Sequence, residues 1–324
     1  MVFIKPLLRL GFTYSKKFSV TYARSISSGN KIYTGPIKNP LYLQNWLDDY
    51  CKLQAYHNIN DIYNYELLRS QLKDTDDDEF DFAVDLPNMK IERMSKAVVI
   101  KIEDSNNENT SIMDMYVGLT EALNYSLEDR ASSITVITGK GQFFSNNNDI
   151  SKKNLDDVDK FISVYMKFMH SLIDHDKPLI GLIKGPTVGI MAELLPLFDY
   201  VLASNDATFK TLAFENGFMP GGCSTFTFPA LIGKQTSFDF LWKGRSITAM
   251  KAKSLGLVNA VVHNYYFEQI AKKKIRQFSK LDPTSLIVGK KLFRDNVRED
   301  LYKCLDVEKT SKRLLKTDDK LSGN

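Results

Sequence analysis

The chain has 324 residues, of which 43% are hydrophobic and 25% charged, a composition typical of one large globular domain with an appendage. The three cysteines lie far apart in the sequence, which fits a reducing compartment. The four histidines form no HExxH motif and the cysteines form no CxxC motif, so no metal site is predicted. No apolar run approaches the roughly 18 residues of a membrane span. The net charge of +4 hides seven basic residues and no acid within residues 1–47, which leaves 36 basic against 39 acidic residues elsewhere and argues against nucleic acid as a partner.

Residues 1–28 are predicted to be a mitochondrial presequence. This segment contains no Asp or Glu, mixes apolar with basic residues, and ends in a serine-rich stretch, Ser25-Ile26-Ser27-Ser28. It lacks the long apolar core of a secretory signal, and a basic, serine-rich, acid-free segment is typical of a mitochondrial leader. A disordered basic tail is the alternative. Because the chain ends in Leu321-Ser322-Gly323-Asn324, which is not a Ser-Lys-Leu signal, the mitochondrial matrix is preferred over the peroxisome.

Residues 29–89 are predicted to hold a helical segment and an acidic linker. Within 40–73 apolar residues recur at intervals of three to four, as on one face of a helix. Six acids follow between Asp74 and Asp81, without the glycine and terminal glutamate of a calcium loop. A solvated linker is therefore favoured over a cation site.

The remainder of the chain is predicted to be α/β, with a core over 90–255 and a C-terminal helical region over 256–324. Strands and helices alternate at first, and helices predominate after Gly221. The predicted strands are 97–102, 132–138, 179–183 and 200–203. The predicted helices are 112–127, 155–173, 189–197, 234–243, 249–255, 265–280, 284–294 and 297–315.

Three sequence motifs stand in a particular order along this α/β region. The first is the loop Phe144-Ser145-Asn146-Asn147-Asn148-Asp149, which follows a predicted strand. The second is Lys184-Gly185-Pro186-Thr187-Val188-Gly189-Ile190, where a buried strand turns into a helix. The third runs from Pro220 to Pro229 and contains Gly222-Cys223-Ser224. Each of the first two alone is a common loop, since asparagine tolerates turns and strand–turn–helix joints are frequent.

In combination these motifs resemble the crotonase (enoyl-CoA hydratase/isomerase) superfamily over about residues 90–300. Within it the resemblance is to the Δ3,Δ2-enoyl-CoA isomerase branch, of the enoyl-CoA delta isomerase 2 type. The resemblance implies a crotonase-type ββα spiral with a C-terminal helical region, and a homotrimer or hexamer. It implies no cofactor, because the acyl-CoA thioester is itself the substrate, and it implies a place in fatty acid oxidation.

The resemblance also implies where the substrate binds. The thioester oxygen would lie between two backbone N–H groups, those of Asn148 and Ile190, which stabilise the enolate formed when a proton leaves C2. The residues around these donors, implied to contact the substrate, are Ser145, Asn146, Asn147, Asn148, Asp149 and Gly189. Asn147 stands where relatives have glycine, and asparagine is among the least costly replacements if the backbone there is left-handed.

Gly221 occupies the position at which the isomerase branch has its catalytic glutamate. A second family carboxylate position is Ala213 here, so Glu193 is the one family-positioned carboxylate left. Glu193 lies among apolar residues of a predicted helix, where burial should raise its pKa and suit it to proton transfer. The alternative is that Glu193 hydrogen-bonds a neighbouring loop or chain and does no chemistry. Glu215 is interpreted as an exposed residue at a helix end.

Two hypotheses follow for the whole chain. In the first it is an active Δ3,Δ2-enoyl-CoA isomerase with Glu193 as a surrogate base. In the second it is a non-catalytic acyl-CoA-binding or scaffold protein. The late helix carries Lys290, Lys291 and Arg294, for which the resemblance implies contact with CoA phosphates and ordinary helix chemistry implies solvation.

Overall fold

The computed structural model describes residues 13–14, 20–26, 29–33, 82–86, 89–103, 112–139, 144–146 and 157–313, in two compact units that divide between Lys73 and Asp74. In the first unit three strands pair antiparallel in chain order: β1 (Thr13–Tyr14), β2 (Val20–Ile26) and β3 (Gly29–Tyr33). β3 is a strand inside the range for which the sequence predicts a helical segment and a linker. The helix expected at 40–73 and the acidic run lie outside the described residues, and the presequence stays a prediction.

The second unit is built on a seven-stranded sheet and a smaller four-stranded one. The strands are β4 (Phe82–Leu86), β5 (Met89–Met94), β6 (Ala97–Ile102), β7 (Ile134–Gly139), β8 (Ser145–Asn146), β9 (Leu179–Ile183), β10 (Thr187–Val188), β11 (Tyr200–Ser204), β12 (Thr208–Lys210), β13 (Ile247–Thr248) and β14 (Ala260–Val262). The large sheet has the order β14-β11-β9-β7-β6-β5-β4, and the small sheet β13-β12-β10-β8. β4 falls within the expected linker, so the large sheet begins earlier than the predicted core.

Three strands of the large sheet are each followed directly by a strand of the small sheet. β7 leads to β8, β9 to β10, and β11 to β12, and β7, β9 and β11 pair in parallel, as do β8, β10 and β12. Parallel neighbours place their carboxyl ends at one edge, so the loops that leave these strands gather there. The expected ββα spiral is confirmed by this pairing.

Helices cover the sheets and form the C-terminal region. They are α1 (Ile112–Glu128), α2 (Val158–Ile173), α3 (Ile190–Glu193), α4 (Ser224–Ile232), α5 (Lys234–Leu241), α6 (Ala249–Leu255), α7 (Phe267–Ser279) and α8 (Pro283–Arg313), with single 3-10 turns at Leu195–Leu197 and Asn264–Tyr266. None of the described helices is both long and apolar enough to cross a bilayer.

The last helix is longer than the sequence predicts. Instead of two helices at 284–294 and 297–315, α8 runs unbroken from Pro283 to Arg313. Its buried side chains recur every three to seven residues along one face and are Lys290, Arg294, Leu301, Leu305, Glu308 and Lys312. Four of these six are charged, so hydrophobic periodicity alone cannot follow the buried face across the middle of the helix.

Candidate active site

A small pocket of about 40 Å³ lies at the start of α3, between α2 and α8. Most of its walls are apolar or aromatic, and its ionisable side chains include one carboxyl and one amine. The lining residues are Tyr116, Phe161, Tyr165, Gly189, Ile190, Glu193, Leu212, Ala213, Asn216, Phe218, Met219, Gly221 and Lys312. A pocket of this size has room for about three water-sized groups.

A tight turn between β10 and α3 forms one wall of the pocket. Gly189 has a φ of 79°, a left-handed conformation that favours glycine, and its N–H donates to the carbonyl of Lys210 at 2.8 Å. Ile190 is the first residue of α3, so its N–H has no intrahelical acceptor. This turn brings the backbone of Ile190 and the side chain of Glu193 to the same pocket.

The Glu193 carboxyl is buried, with 3% of the residue exposed, and faces the segment 219–223, which we call the Gly221 turn. The N–H of Gly221 donates to Oε2 of Glu193 at 2.6 Å. No hydrogen bond from the described residues reaches Oε1. Burial raises the pKa of Glu193 to about 8, although the bond from Gly221 and the charge of Lys312 oppose the rise. One carboxyl oxygen is thus fixed by the Gly221 turn, and the other is not.

The Gly221 turn is held by three successive backbone N–H groups. Gly221 donates to Glu193, Gly222 donates to the hydroxyl of Tyr165 at 2.7 Å, and the backbone of Cys223 bonds to Glu308. Gly222 has a φ of 66°, and a Cβ there would lie 2.8 Å from Cδ2 of Leu194, so both conformation and space require glycine. The turn therefore depends on three polar side chains from three different helices.

Tyr165 and Glu308 link α2 to α8 behind the turn. The Tyr165 hydroxyl donates to Oε2 of Glu308 at 2.5 Å while accepting from Gly222. Burial raises the pKa of both groups, and the nearby Glu308 carboxylate raises that of Tyr165 further. Tyr165 therefore remains a neutral donor at physiological pH, with Glu308 as its acceptor.

Lys312 brings a buried amine to the pocket from the last turns of α8. Only 4% of the residue is exposed, and its Nζ lies 4.6 Å from the centre of the Tyr165 ring. Among the described residues Nζ has no hydrogen-bond partner. Burial lowers its pKa, while the charges of Glu308 and Glu193 raise it. The three N–H donors of a buried ammonium need hydrogen-bond acceptors, which a ligand or water would supply here.

The space beside Gly221 is already filled by these side chains. A Cβ at Gly221 would lie 3.0 Å from Cδ1 of Ile190, 3.1 Å from the Tyr165 hydroxyl oxygen and 3.5 Å from Nζ of Lys312. These distances are short for a Cβ, so the Ile190 or Tyr165 side chain would have to shift by a few tenths of an ångström to admit one. Glycine therefore fits this position without disturbing its neighbours.

The sequence predicts no metal site, and one group of potential ligands does lie together among the described residues. The sulfur atoms of Cys223 and Cys304 and a carboxylate oxygen of Glu308 are within 4.8 Å of one another. The hydrogen bond with Cys304, followed by burial, raises the pKa of the Cys223 thiol. The Cys223 thiol donates to the Leu301 carbonyl at 3.5 Å and the Cys304 thiol to Oε1 of Glu308 at 3.9 Å, so all three residues take part in the hydrogen-bonded network behind the Gly221 turn.

The other residues implied by the resemblance are described only in part. Ser145 is buried, with its hydroxyl donating to the Val188 carbonyl at 3.4 Å, and Asn146 follows it in β8. Asn147, Asn148 and Asp149 lie outside the described residues, so one of the two backbone donors is not described. Glu215 accepts an exposed hydrogen bond from Lys210 and does not line the pocket.

The basic residues of α8 take a role that neither sequence interpretation gave them. Lys290 and Arg294 are buried, and both lie against Asp199, with Lys290 Nζ 3.0 Å from Oδ2. Lys290 also donates to the Lys177 carbonyl, and Arg294 to the Leu197 carbonyl. These two residues are neither solvated nor free for a phosphate. Lys291 remains exposed.

Sequence reasoning missed Tyr165, Glu308 and Lys312. Tyr165 stands at helical spacing with Phe161 and Phe168, which predicts only a core position. The bond from Tyr165 to Glu308 spans 143 residues, a separation that no local pattern reports. The one local pattern in the sequence was the spacing of Glu308 and Lys312, two charged residues four positions apart near the end of α8.

Comparison with known proteins is consistent with this geometry. The family model described as enoyl-CoA hydratase/isomerase matches residues 92–322. The chain is 33% identical over 227 residues to the peroxisomal enoyl-CoA delta isomerase 3 of Mus musculus, covering 65% of this chain and 71% of that protein. It is 34% identical over 215 residues to enoyl-CoA delta isomerase 2 of Rattus norvegicus, covering 64% of this chain and 54% of that protein, so it spans about half the length of that relative. Among solved structures, enoyl-CoA hydratase from Bacillus halodurans shares the fold, with a TM-score of 0.64, 20% identity, and coverage of 71% of this chain and 95% of that one.

Proposed function

We propose that this chain, which belongs to the enoyl-CoA hydratase/isomerase family, binds an acyl-CoA thioester and shifts a 3-enoyl double bond to the 2-position. The observation that carries the proposal is the Glu193 carboxyl. It lines the pocket, one of its oxygens is held by the Gly221 N–H, and the other receives no hydrogen bond from the described residues. A fixed carboxyl with a free oxygen is suited to moving a proton between two nearby carbons.

The proposed reaction needs one base and one oxyanion site. The Glu193 carboxylate takes a proton from C2, and the electrons move onto the thioester oxygen to form an enolate. Backbone N–H groups of Ile190 and Asn148 would stabilise that oxygen. The same carboxyl then returns the proton to C4, which moves the double bond from C3 to C2 and regenerates the carboxylate. No net proton or electron is exchanged, so no cofactor is required.

Binding and assembly are part of the same proposal. Gly189 and the segment 145–149 would lie against the substrate, with Ser145 and Asn146 supporting the segment from β8. A homotrimer or hexamer is supported by the large apolar side chains that α8 exposes, Leu292 and Phe293 among them. Size-exclusion chromatography with light scattering tests the assembly.

The mitochondrial matrix is the proposed location, on the composition of residues 1–28. Fusing these residues to a fluorescent protein should direct it to mitochondria. A diffuse signal would refute the presequence, and a peroxisomal signal from the full chain would favour the location named for the mouse relative.

A second function is favoured by the replacement of the family glutamate and by the structural use of Glu193. Since Gly221 has no side-chain carboxyl to transfer a proton and Glu193 holds the Gly221 turn, the chain could bind acyl-CoA without turning it over. This non-catalytic alternative predicts thioester binding with no change in the bound acyl group.

The deciding experiment is an assay of the purified full chain with 3-hexenoyl-CoA, following formation of the conjugated 2-enoyl thioester. Turnover that Glu193→Gln reduces by about 10²-fold or more supports the isomerase. Glu215→Gln is the matched control, because it makes the same change at a carboxyl outside the pocket lining. Thioester binding without turnover supports the non-catalytic alternative, and absence of both refutes the proposal.

A further inference from the structure

Lys312 and Glu193 place an amine and a carboxyl in one small pocket, and the proposed reaction uses only the carboxyl. The Lys312 residue is 96% buried, lines the same pocket as Glu193, and has no hydrogen-bond partner among the described residues. The charges of Glu308 and Glu193 act on this amine, and it contacts the face of the Tyr165 ring, whose centre lies 4.6 Å from Nζ. That contact satisfies part of its charge and none of its three N–H donors.

A plain hydrocarbon chain is a poor occupant of such a pocket. An alkyl group that filled about 40 Å³ beside Glu193 would expel water from around Lys312 and leave its donors without acceptors. An acyl chain with an oxygen at that point would supply the missing acceptor. A site built with a buried donor discriminates strongly against the analogue that lacks the matching oxygen.

The charges around Lys312 favour an oxygen without charge. Glu308 accepts from Tyr165 and bonds to the Cys223 backbone, an arrangement that suits a carboxylate. Two carboxyl groups, Glu308 and Glu193, already act on the single amine of Lys312, and burial raises the pKa of Glu193 to about 8. A ligand carboxylate would add a buried, uncompensated negative charge, whereas a hydroxyl or ketone oxygen would add none.

We infer that Lys312 is a specificity-determining residue that selects short acyl-CoA substrates carrying an uncharged oxygen, hydroxyl or ketone, on the acyl chain. This inference rests on the proposed function, since it names the substrate class of the same pocket. The oxygen lies within a few atoms of the reacting carbons, because the pocket accommodates only about three water-sized groups.

The test is a set of dissociation constants for matched thioesters, measured by calorimetry on the full chain. Pentanoyl-CoA and 4-hydroxybutyryl-CoA have the same length and differ by a methyl or a hydroxyl at the chain end, and succinyl-CoA places a carboxylate there. We expect 4-hydroxybutyryl-CoA to bind at least about tenfold tighter than pentanoyl-CoA, and succinyl-CoA to bind more weakly than 4-hydroxybutyryl-CoA. In Lys312→Met the preference for the hydroxyl should disappear.

Lys303→Met is the matched control, since Lys303 lies on the same helix with its side chain exposed. It should keep the wild-type preference. Lys312→Gln, which retains an uncharged hydrogen-bond donor, should keep part of the preference for the hydroxyl. This variant guards against a folding defect specific to Lys312→Met.

Equal binding of pentanoyl-CoA and 4-hydroxybutyryl-CoA by the wild type would overturn the inference, as would a preference that survives in Lys312→Met. Tightest binding of succinyl-CoA would overturn the choice of an uncharged oxygen. Failure of every thioester to bind would refute the proposed function as well. Binding and turnover of unsubstituted chains without a preference would refute this inference alone.

Discussion

The pH dependence of turnover should report the ionisation of Glu193. Burial raises the pKa of this carboxyl to about 8, and the base must be ionised to remove a proton from C2. With that pKa roughly one-tenth of Glu193 is ionised at pH 7 and about nine-tenths at pH 9. We therefore expect kcat/KM for 3-hexenoyl-CoA to rise about tenfold between pH 7 and pH 9 and then to level off.

Glu193→Gln separates this chemistry from the structural role of the side chain. The amide oxygen of glutamine can still accept from the Gly221 N–H, so the Gly221 turn should persist while proton transfer is lost. The assay is steady-state turnover at constant ionic strength from pH 6 to pH 9.5, with circular dichroism to verify folding. A flat pH profile in the wild type, or wild-type activity in Glu193→Gln, would refute the assignment of Glu193 as the base.

The same ionisation should be visible in stability. The folded pKa of Glu193 lies above its ordinary value of 4.5, so the folded state binds this proton more tightly than the unfolded state. The resulting stabilisation is fully present below about pH 4.5 and is lost as the pH rises through about 8, by an amount on the order of a few kcal/mol. Because glutamine stays neutral, the unfolding free energy of Glu193→Gln relative to the wild type should increase between pH 5 and pH 9. An unchanged difference across that range would mean that Glu193 does not titrate while buried.

Three further substitutions test the packing around the pocket by urea unfolding. Gly221→Ala should lower the unfolding free energy by about 1–3 kcal/mol, because its Cβ would lie 3.0 Å from Ile190 and 3.1 Å from the Tyr165 hydroxyl. The control Gly289→Ala, whose Cβ would meet nothing within 4 Å, should be neutral or stabilising. Equal stability of the two variants would contradict crowding at Gly221. Asp199→Asn should lower the unfolding free energy by about 2–4 kcal/mol, because it leaves the buried Lys290 without its carboxylate partner. The control Asp300→Asn, in the exposed pair with Lys303, should lower it by less than about 0.5 kcal/mol. A loss of similar size in both variants would refute a special role for Asp199. Lys312→Met should leave the unfolding free energy unchanged or raise it by up to about 2 kcal/mol, because it removes a buried amine that has no hydrogen-bond acceptor among the described residues. A clear fall in stability would show that the amine has stabilising partners.

The sequence predicted the parallel strands well and the end of the chain less well. The strands at Ala97–Ile102 and Leu179–Ile183 have the predicted bounds, because apolar β-branched runs between turn residues are a local signal. The helix Ser224–Ile232 was missed, since it contains Pro229 and lacks a clear apolar face. α8 was divided in two because its buried face is carried largely by charged residues.

By itself the sequence determined the family and the fold, the missing glutamate at Gly221, and Glu193 as the remaining family-positioned carboxyl. These follow from motifs whose residues are close together in the chain. Only the tertiary structure showed that the Gly221 N–H donates to Glu193 and that Ile190, Tyr165 and Lys312 fill the space around Gly221. These contacts and the bond from Tyr165 to Glu308 join residues 28 to 143 positions apart. A buried charge at the end of a helix has no local sequence pattern to distinguish it from a solvated one, so its place in the pocket is decided by how α8 packs against α2.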